Sequence, residues 1–548
     1  MTEKRRVSLD RVGDNVSYDM LSQADRDFAV SALSKGATRR EVMGWLIAMG
    51  VTVSAAGSIV TVASKAVAQT PKRGGKLRVA YSTHGPSDTL DPAKFTASID
   101  YFRGRMFYNS LIRLDDNMQP QPELAESFEA NDTATEWTFK IRKDVRFHDG
   151  KPLTADDVIY SMNRHIGKDS ISTAKTLVAS ISEWNKIDDH TVQAILNSPN
   201  AEIPVVLGTF QFKIIQNGTT DFTNPVGTGP FKIKEFKPGV HAIGVRNDEY
   251  WVDGRPYVDQ INHFAITDAV ARVNALLAGD VDIIGEVDAK AVKQVERTDG
   301  VSIFSVEAGQ YNDIVLMQDK TPGNNADLTM GLKHLFRRDR LVKRILKGQG
   351  SIGRDHPIGS AYADHCSAVE PLPYDLDKAK HFIKKSGISE FELLVAEVGP
   401  GLSDTCLILQ GEARKAGLNI AVKRVPNDGY WGAIWMKSPA HVSSWNARPT
   451  ANIMLTLAYA SDAPWNESQW KNEKFDKLLV DARGELDTDK RAEMYCEMQR
   501  LVRDGAGTII PYHMNYIDGI KDTIRGLTRV PLAPLGGWEW AETVWLDT

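Results

Sequence analysis

The chain has little cysteine. Only three cysteines occur among its 548 residues, namely Cys366, Cys406 and Cys496. They are too few and too widely spaced for a disulfide framework or for a C-x-x-C zinc site. One disulfide can form in an oxidising compartment, and the odd number of cysteines then leaves one of them unpaired. The fold must therefore rest on an ordinary hydrophobic core rather than on several disulfides.

The chain also lacks an excess of positive charge. It carries 66 Lys and Arg against 71 Asp and Glu, which gives a formal net charge of −5 at pH 7. Domains that bind nucleic acid usually show a basic patch or stripe, and none is visible in this sequence. Nucleic acid is therefore not expected as a partner.

Long apolar runs are missing after residue 68, and common catalytic motifs are missing throughout. No later run is long enough to span a bilayer. Neither a G-x-S-x-G elbow nor an H-E-x-x-H motif occurs. Residues 348–353 match G-x-G-x-x-G, but they follow a basic helical segment instead of a strand, so the context of a dinucleotide site is absent. We therefore expect no enzymatic activity, no cofactor and no metal.

What the sequence does contain, at its start, is a pattern typical of an export signal. Arg39 and Arg40 precede a run over 44–67 that contains no carboxylate, and small residues occupy 66–68. A pair of arginines, a moderately apolar run and an A-x-A ending indicate a twin-arginine signal peptide. We predict that residues 1–68 are a leader, that the twin-arginine machinery exports the chain to the periplasm, and that the signal is cleaved. An uncleaved inner-membrane anchor is the alternative.

After the leader, strand patterns alternate with helix patterns. Residues 391–395 and 420–425 are predicted as strands on either side of a helix over 403–416, which ends at Gly417. Such a strand–helix–strand unit favours parallel pairing with helices on the faces of the sheet. The pattern therefore predicts an α/β fold.

Three local helix predictions can be tested separately. Thr154 and Asp157 have the spacing of a capping box. Asp268 is a predicted N-cap for a helix with Val270 among its inward residues. Apolar residues at helical spacing over 101–114 predict a helix with one buried face.

Several strings then occur in an order that resembles a known family. The string ELAESFEANDTATEWTFKIRKDVRFHDGKPLTADDVIYSMNRH at 123–165 closely resembles the signature region of the family 5 extracellular solute-binding proteins. NPVGTGPF at 224–231 is similar to a glycine-rich element of the family, and 246–284 and 335–350 resemble later segments. This family includes the dipeptide, oligopeptide and nickel binders that supply ABC importers.

The resemblance implies an α/β, two-lobed periplasmic binding protein fold of class II type, with an inserted domain and a hinged central cleft. It implies a first lobe made of 69–110, 225–306 and 507–548, an inserted subdomain at 111–224 and a second lobe at 307–506. Chain crossings near 306 and 507 would form the hinge. A solute between the lobes stabilises closure, because contacts from both sides exist only in the closed state. It also implies a monomer that works with ABC permease subunits.

One departure from the family pattern bears on the ligand. In peptide-binding members, an aspartate three residues after a tryptophan holds the free ammonium of the ligand, whereas here Arg448 stands three residues after Trp445. A guanidinium repels an ammonium and binds a carboxylate or phosphate in a forked pair. The arginine that dipeptide binders use for the ligand carboxylate is also missing from 396–402. We therefore expect a ligand with an acidic group at Arg448, and a salt bridge to a nearby Asp or Glu is the alternative role of this residue.

Further candidate contacts follow from position: Trp445 by stacking, Asn446, Thr450 and Asn452 by neutral hydrogen bonds, and Asp88 from the first lobe. The predicted function is the periplasmic substrate-binding component of an ABC importer for a peptide-like or organic-acid solute. An exported enzyme, or a binding protein used only for sensing, is the alternative. A cleft that closes on a small molecule without turnover would separate the first function from an enzyme.

Overall fold

The structure is a computed structural model, and it describes residues 28–29, 32, 39–49, 51, 56, 70–82, 88–427 and 430–547. The chain divides into two units, Met1–Lys72 and Arg73–Thr548. In the first unit, Arg39 and Arg40 begin a helix, and Val42 and Leu46 on that helix belong to a small buried cluster. Among the described residues, no helix is both long and apolar enough to cross a membrane. The predicted cleavage site at 66–68 lies outside the described residues.

The described helices and strands have the following bounds. The α-helices are α1 (Arg39–Ala48), α2 (Ser98–Phe107), α3 (Ala155–Asn163), α4 (Ile203–Leu207), α5 (Ala269–Leu277), α6 (Val292–Glu296), α7 (Ala326–Lys333), α8 (Arg338–Arg344), α9 (Leu376–Ser386), α10 (Leu402–Lys415), α11 (Tyr430–Ala433), α12 (Ala451–Tyr459), α13 (Glu473–Gly484), α14 (Thr488–Gly505) and α15 (Pro534–Gly537). The strands are β1 (Lys76–Tyr81), β2 (Ile112–Leu114), β3 (Pro120–Pro122), β4 (Ala125–Ala130), β5 (Glu136–Ile141), β6 (Ile181–Asp188), β7 (Thr191–Leu196), β8 (Phe231–Lys237), β9 (His241–Arg246), β10 (Gln260–Ala265), β11 (Ile283–Ile284), β12 (Val301–Leu316), β13 (Gly350–Ile352), β14 (Glu390–Val395), β15 (Asn419–Arg424), β16 (Ala440–Trp445), β17 (Thr508–Lys521), β18 (Ile524–Arg525) and β19 (Trp545–Leu546).

One large mixed sheet runs through the second unit. Its strand order is β15-β14-β16-β12-β17-β11-β1-β10-β9-β8, with β13 paired to β17. Parallel pairs join β1 to β10 and β11, and β14 to β15 and β16. The pairs that β12 forms with β16 and β17 are antiparallel. Helices pack beside the parallel strands, for example α10 beside β14 and β15, which is the arrangement expected of an α/β fold.

The strands β12 and β17 form a ribbon that joins the two ends of this sheet. They pair from Val301 opposite Lys521 to Val315 opposite Thr508, and their register shifts after Val306. On one side of the shift β17 also pairs with β11, whereas on the other side it pairs with β13 and β12 pairs with β16. At the shift, Met514 of β17 pairs both with Gln310 of β12 and with Gly350 of β13. The predicted chain crossings near 306 and 507 lie in β12 and directly before β17.

A separate antiparallel sheet with the order β4-β5-β7-β6 forms what we call the four-stranded subdomain. Its core cluster runs from Leu111 to Ile214 and is closed by the helix α3. This helix begins with the predicted capping box, in which Oδ2 of Asp157 accepts a hydrogen bond of 2.9 Å from the backbone N–H of Thr154. The capping-box prediction is confirmed.

The predicted strand–helix–strand unit is also confirmed. β14 and β15 pair in parallel over six residues each, and α10 connects them. Gly417 follows the helix with φ of +86°, a backbone conformation that glycine adopts without steric cost. This unit packs into a core that also receives Leu316 and Ile509 from the central ribbon.

Two local predictions are wrong. The helix predicted over 101–114 ends at Phe107, because the glycine-rich segment that includes Gly227 and Gly229 packs directly on the backbone there. The N–H of Gly229 donates to the carbonyl of Phe107 at 3.1 Å, and a Cβ on Gly229 would lie 2.4 Å from that backbone. Val270 was predicted to point inward, yet its side chain is 68% exposed although Asp268 caps the helix α5 as expected.

The structure contains one disulfide, between Cys366 and Cys496, and Cys406 is a buried free thiol. The sequence allowed one bridge with one cysteine left over, and it did not indicate whether a bridge forms or which cysteines it joins. The bond closes a loop across a sequence separation of 130 residues. In the chain-entropy account, a loop of this length stabilises the folded state by about 5 kcal/mol.

Candidate ligand-binding site

A cavity of about 1380 Å³ lies beside the central ribbon. Gln310 of β12 and Asn515 and Tyr516 of β17 contribute to its lining. The remaining lining comes from both ends of the large sheet and from the four-stranded subdomain, and it includes Tyr101, Phe210, Arg272, Glu286, Glu397 and Arg448. The volume is above the range usual for drug-sized ligands.

Arg448 lies on the short loop between β16 and α12, and the fold holds both ends of that loop. β16 ends at Trp445 in pairing with β12, and α12 begins at Ala451 after its N-cap Thr450. The backbone N–H of Arg448 donates to the hydroxyl of Tyr362 at 2.8 Å. The loop therefore presents the half-buried Arg448 side chain to the cavity from a fixed backbone.

The guanidinium of Arg448 has no acidic partner in the described part of the chain. Its Nη1 donates to the carbonyls of Asn446 and Ala447, at 3.1 and 3.2 Å, and its Cζ lies 5.6 Å from the ring centre of Trp445. No carboxylate among the described residues lies within ion-pair distance of it, so the alternative role as a salt bridge finds no support there. Several of its five N–H donors are left for a ligand.

Tyrosines surround this guanidinium. Burial raises the pKa of Tyr101 and of Tyr362 to about 12 and raises the pKa of Tyr516 further, while the charge of Arg448 opposes each rise. Tyr101 stacks on Phe210 with ring centroids 4.2 Å apart. The phenols stay neutral at physiological pH, and two of them, Tyr101 and Tyr516, line the cavity.

Trp445 lies behind the loop rather than in the cavity lining. Its side chain is 5% exposed, and its indole N–H donates to Oε1 of Glu467 at 2.8 Å. It stacks on Tyr311 with ring centroids 6.4 Å apart. Trp465, which sequence analysis did not select, lines the cavity instead.

The other candidate residues separate into two groups. Asn446 is exposed and lines the cavity. Thr450 and Asn452 are buried outside the lining, because Thr450 caps α12 and Asn452 bonds to Leu479 and Arg483. Asp88 is also outside it: its carboxylate pairs with Arg103 at 2.9 Å and accepts the N–H of Gly239.

A charged group at the other side of the cavity is absent from the residues predicted from the sequence. Arg272 of α5 and Asp518 of β17 line this side together with Glu286. Burial raises the pKa of Asp518 to about 7, against the hydrogen bonds that its carboxylate accepts from the N–H groups of Glu286 and Leu535. Arg272 and Asp518 are 246 positions apart in the sequence, and tertiary packing brings them close enough for the charge of Arg272 to act on Asp518. No local motif marks either residue.

Metal chemistry has no evident donor set in the described part of the molecule. No group of three or more His, Cys, Asp and Glu side chains is placed there to hold a metal ion. Among the lining cations, Arg448 is half-buried and has no ion pair, while Lys290 and Arg424 are exposed and have no ion pair among the described residues either. The lining also offers neutral phenols and amides, and the carboxylates of Glu286, Glu397 and Asp518 accept protein hydrogen bonds.

Comparison with known proteins decides what kind of site this is. Residues 119–467, well over half of the chain, match the family model of the bacterial extracellular solute-binding proteins, family 5. The chain belongs to this family. Family 5 members are periplasmic binding proteins of ABC importers, so the cavity is the candidate solute-binding cleft and the permease of such an importer is the implied partner.

Individual relatives are distant but cover almost the whole chain. The dipeptide-binding protein of Escherichia coli strain K12 is 23% identical over 83% of this chain and 92% of that protein. HbpA2 from Haemophilus parasuis has a TM-score of 0.77 at 22% identity, over 86% of this chain and all of that structure. The binding protein AgaA of A. tumefaciens R10, in complex with agropinic acid, has a TM-score of 0.70 at 21% identity. That match covers 86% of this chain and 99% of AgaA. These matches establish the two-lobed periplasmic binding protein fold, and the fold prediction is confirmed.

Proposed function

We propose that this family 5 protein delivers to its permease a small solute whose anionic group is held by Arg448. The observation that carries the proposal is the half-buried guanidinium of Arg448, which lines the cleft without an ion pair among the described residues, whereas Lys290 and Arg424 of the lining, which also lack an ion pair there, are exposed. A buried or half-buried charge without a counter-ion is costly, so a ligand anion that pairs with it would gain affinity.

The carboxylates of the cleft support this choice of ligand charge. Glu397 accepts the N–H groups of Gly401 and Ser403, at 2.9 and 3.2 Å, and Glu286 accepts the hydroxyl of Tyr81. Protein donors therefore already occupy these acids, whereas Arg448 donates only to its own loop. The fold can hold an acid, since AgaA was crystallised with agropinic acid.

We further propose that the chain reaches the periplasm through the twin-arginine machinery, with Arg39 and Arg40 as the signal and cleavage after residue 68. It then acts as a monomer in transport rather than only in sensing. Native mass spectrometry of the chain purified from its own periplasm tests both parts. A mass that begins at Gln69 with an organic acid or acidic peptide bound is expected. A chain that begins at Met1 would contradict cleavage, and a bound cation would contradict the proposed ligand.

The role of Arg448 can then be measured with the co-purified solute. Arg448→Asp should weaken binding by at least about 2 kcal/mol, which is about thirtyfold, because a carboxylate would face the anion of the ligand. Isothermal titration calorimetry of the mature chain provides the measurement. Arg448→Lys, which keeps the charge but loses the planar fork, should fall between the wild type and Arg448→Asp. Unchanged affinity in Arg448→Asp would show that Arg448 does not contact the ligand.

A further inference from the structure

Glu202 is a buried carboxylate at a contact between the four-stranded subdomain and the helices that follow the Arg448 loop. Its Oε1 accepts the hydroxyl of Tyr495 on α14 at 2.6 Å, and its Oε2 accepts the hydroxyl of Thr450. The residue is only 7% exposed, and it does not line the cleft. Two donors that lie 248 and 293 positions further along the chain therefore converge on one carboxylate.

The surrounding contact is small and lies apart from the central ribbon. The N–H of Ala201 donates to the carbonyl of Arg483 at 2.7 Å, and Ile453 of α12 packs against the core of the four-stranded subdomain. Thr450 is two residues after Arg448 and caps α12 through Ile453 at 3.1 Å. A displacement of Thr450 would therefore also move the loop that carries Arg448.

A buried carboxylate is energetically unfavourable at this contact, where an apolar side chain of similar size could pack without the cost of desolvating a charge. No Lys or Arg among the described residues forms an ion pair with Glu202, and burying a carboxylate without a cation is unfavourable. The charged and titratable groups that face it are Tyr495 and Arg491 of α14 and Asp364 of the segment before the disulfide. Arg483 is bound to Asn452 and Thr456 instead.

We propose that Glu202 is a positioning residue, which clasps Thr450 and Tyr495 when the cleft closes, holds the Arg448 loop against the four-stranded subdomain, and releases both hydroxyls when the cleft opens. The clasp goes beyond solute capture, and it does not depend on which solute is bound. Only the consequence for binding rests on the proposed role of Arg448.

A clasp built this way responds to pH. Burial raises the pKa of Glu202 from 4.5 to about 6, with a smaller rise from Asp364, against the two hydroxyl donors and Arg491. In an open cleft the carboxyl is solvated and keeps its ordinary pKa, so closure takes up a proton between these two values. Closure is therefore favoured as the pH falls through about 6, and the closed-to-open ratio should rise roughly tenfold from pH 7 to pH 5.

The experiment measures the opening of the solute-free mature chain by pulsed electron paramagnetic resonance. Spin labels are attached at Ile187→Cys on β6 and Val480→Cys on α13, which replace side chains that are 58% and 66% exposed. The native cysteines do not compete, since Cys366 and Cys496 are bonded and Cys406 is buried. The ratio of short to long distances is recorded at pH 5 and pH 7 in each variant.

Wild-type Glu202 should show the tenfold change in this ratio. Glu202→Gln has no charge, and its carbonyl oxygen can accept one hydroxyl while its NH2 group donates to the oxygen of the other, so it should give the high ratio at both pH values. Glu202→Ala should give the low ratio at both. Tyr495→Phe should lower the ratio while keeping the pH response, and Glu183→Gln, which alters an exposed carboxylate of the same subdomain, should behave as the wild type.

Four results would overturn the clasp. One is a wild-type ratio that does not change with pH, and another is a pH response that survives in Glu202→Gln. A third is loss of the pH response in Asp364→Asn, which would assign the titrating group to Asp364 instead of Glu202. The fourth is a single distance between the two spin labels in every sample. Glu202 would then keep its hydrogen bonds to Thr450 and Tyr495 permanently, and the contact would not depend on closure of the cleft.

Discussion

Arg272 and Arg448 line the same cleft, yet the protein uses their guanidinium groups in opposite ways. Arg272 is 2% exposed and donates to four backbone carbonyls, those of Ile266, Thr267, Gly285 and Glu286, at 2.8 to 3.1 Å. Arg448 is half-buried and donates only to two carbonyls of its own loop. The difference shows that a cleft arginine is a ligand candidate when its donors are unused, and not merely because it lines the cleft.

The two arginines also differ in their electrostatic surroundings. Arg272 lies near the carboxyl groups of Glu286 and Asp518, and burial lowers the pKa of Arg272 while those acids oppose the change. Arg448 faces neutral phenols. Arg272 therefore balances charge within the protein, whereas the charge of Arg448 is balanced by nothing in the described residues except solvent or a ligand.

The largest expected effect is on stability at Arg272. Arg272→Leu removes a buried guanidinium from four backbone carbonyls and should lower the free energy of unfolding by about 3 to 5 kcal/mol. Urea unfolding followed by circular dichroism measures it. Arg272→Lys, which can satisfy some of the carbonyls, should recover part of the loss. A loss below about 1 kcal/mol would mean that the hydrogen bonds of Arg272 contribute no more to stability than is expected of those of Arg448.

A smaller effect is expected from the acid beside Arg272. The pKa of Asp518 is raised from 3.8 to about 7, so the folded chain binds a proton there that the unfolded chain has released, and stability falls as the pH rises from about 4 to about 7. Asp518→Asn should remove this component, which amounts to about 3 kcal/mol across the range. Unfolding free energies of both chains at pH 4.5, 6 and 7.5 give the difference. Parallel curves would show that Asp518 is ionised throughout.

The smallest effect is expected on stability at Arg448. Arg448→Leu loses two hydrogen bonds to its own loop and one contact over Trp445, so the free energy of unfolding should change by less than about 1 kcal/mol. The same urea titration serves as the matched control for Arg272→Leu. A loss as large as that of Arg272→Leu would contradict the comparison and assign a structural role to Arg448.

Much of the local structure was predictable because its causes are local. The capping box at Thr154, the cap at Asp268 and the strand–helix–strand unit around α10 each depend on side chains within one or two turns. The family signature at 123–165 added the fold class, which the matched region and the structural relatives bear out. The sequence allowed one disulfide but predicted neither its formation nor its partners.

The site was predictable only in part. Arg448 and Asn446 line the cleft, whereas Trp445, Thr450, Asn452 and Asp88 have buried partners inside the protein. Proximity in sequence does not determine which side of a loop a residue faces. The lobe boundaries and the twin-arginine export stay predictions.

The sequence by itself determined the class of the protein and placed one unusual guanidinium in its second half, since family strings and the Trp445–Arg448 spacing are one-dimensional patterns. Only the tertiary structure decided which charges are free. It ended α2 at Phe107 through Gly229, surrounded Arg272 with carbonyls, and brought Glu202 to Tyr495 across 293 positions. The physical reason is that hydrogen-bond satisfaction and burial depend on neighbours distant in the chain, and those neighbours exist only after folding.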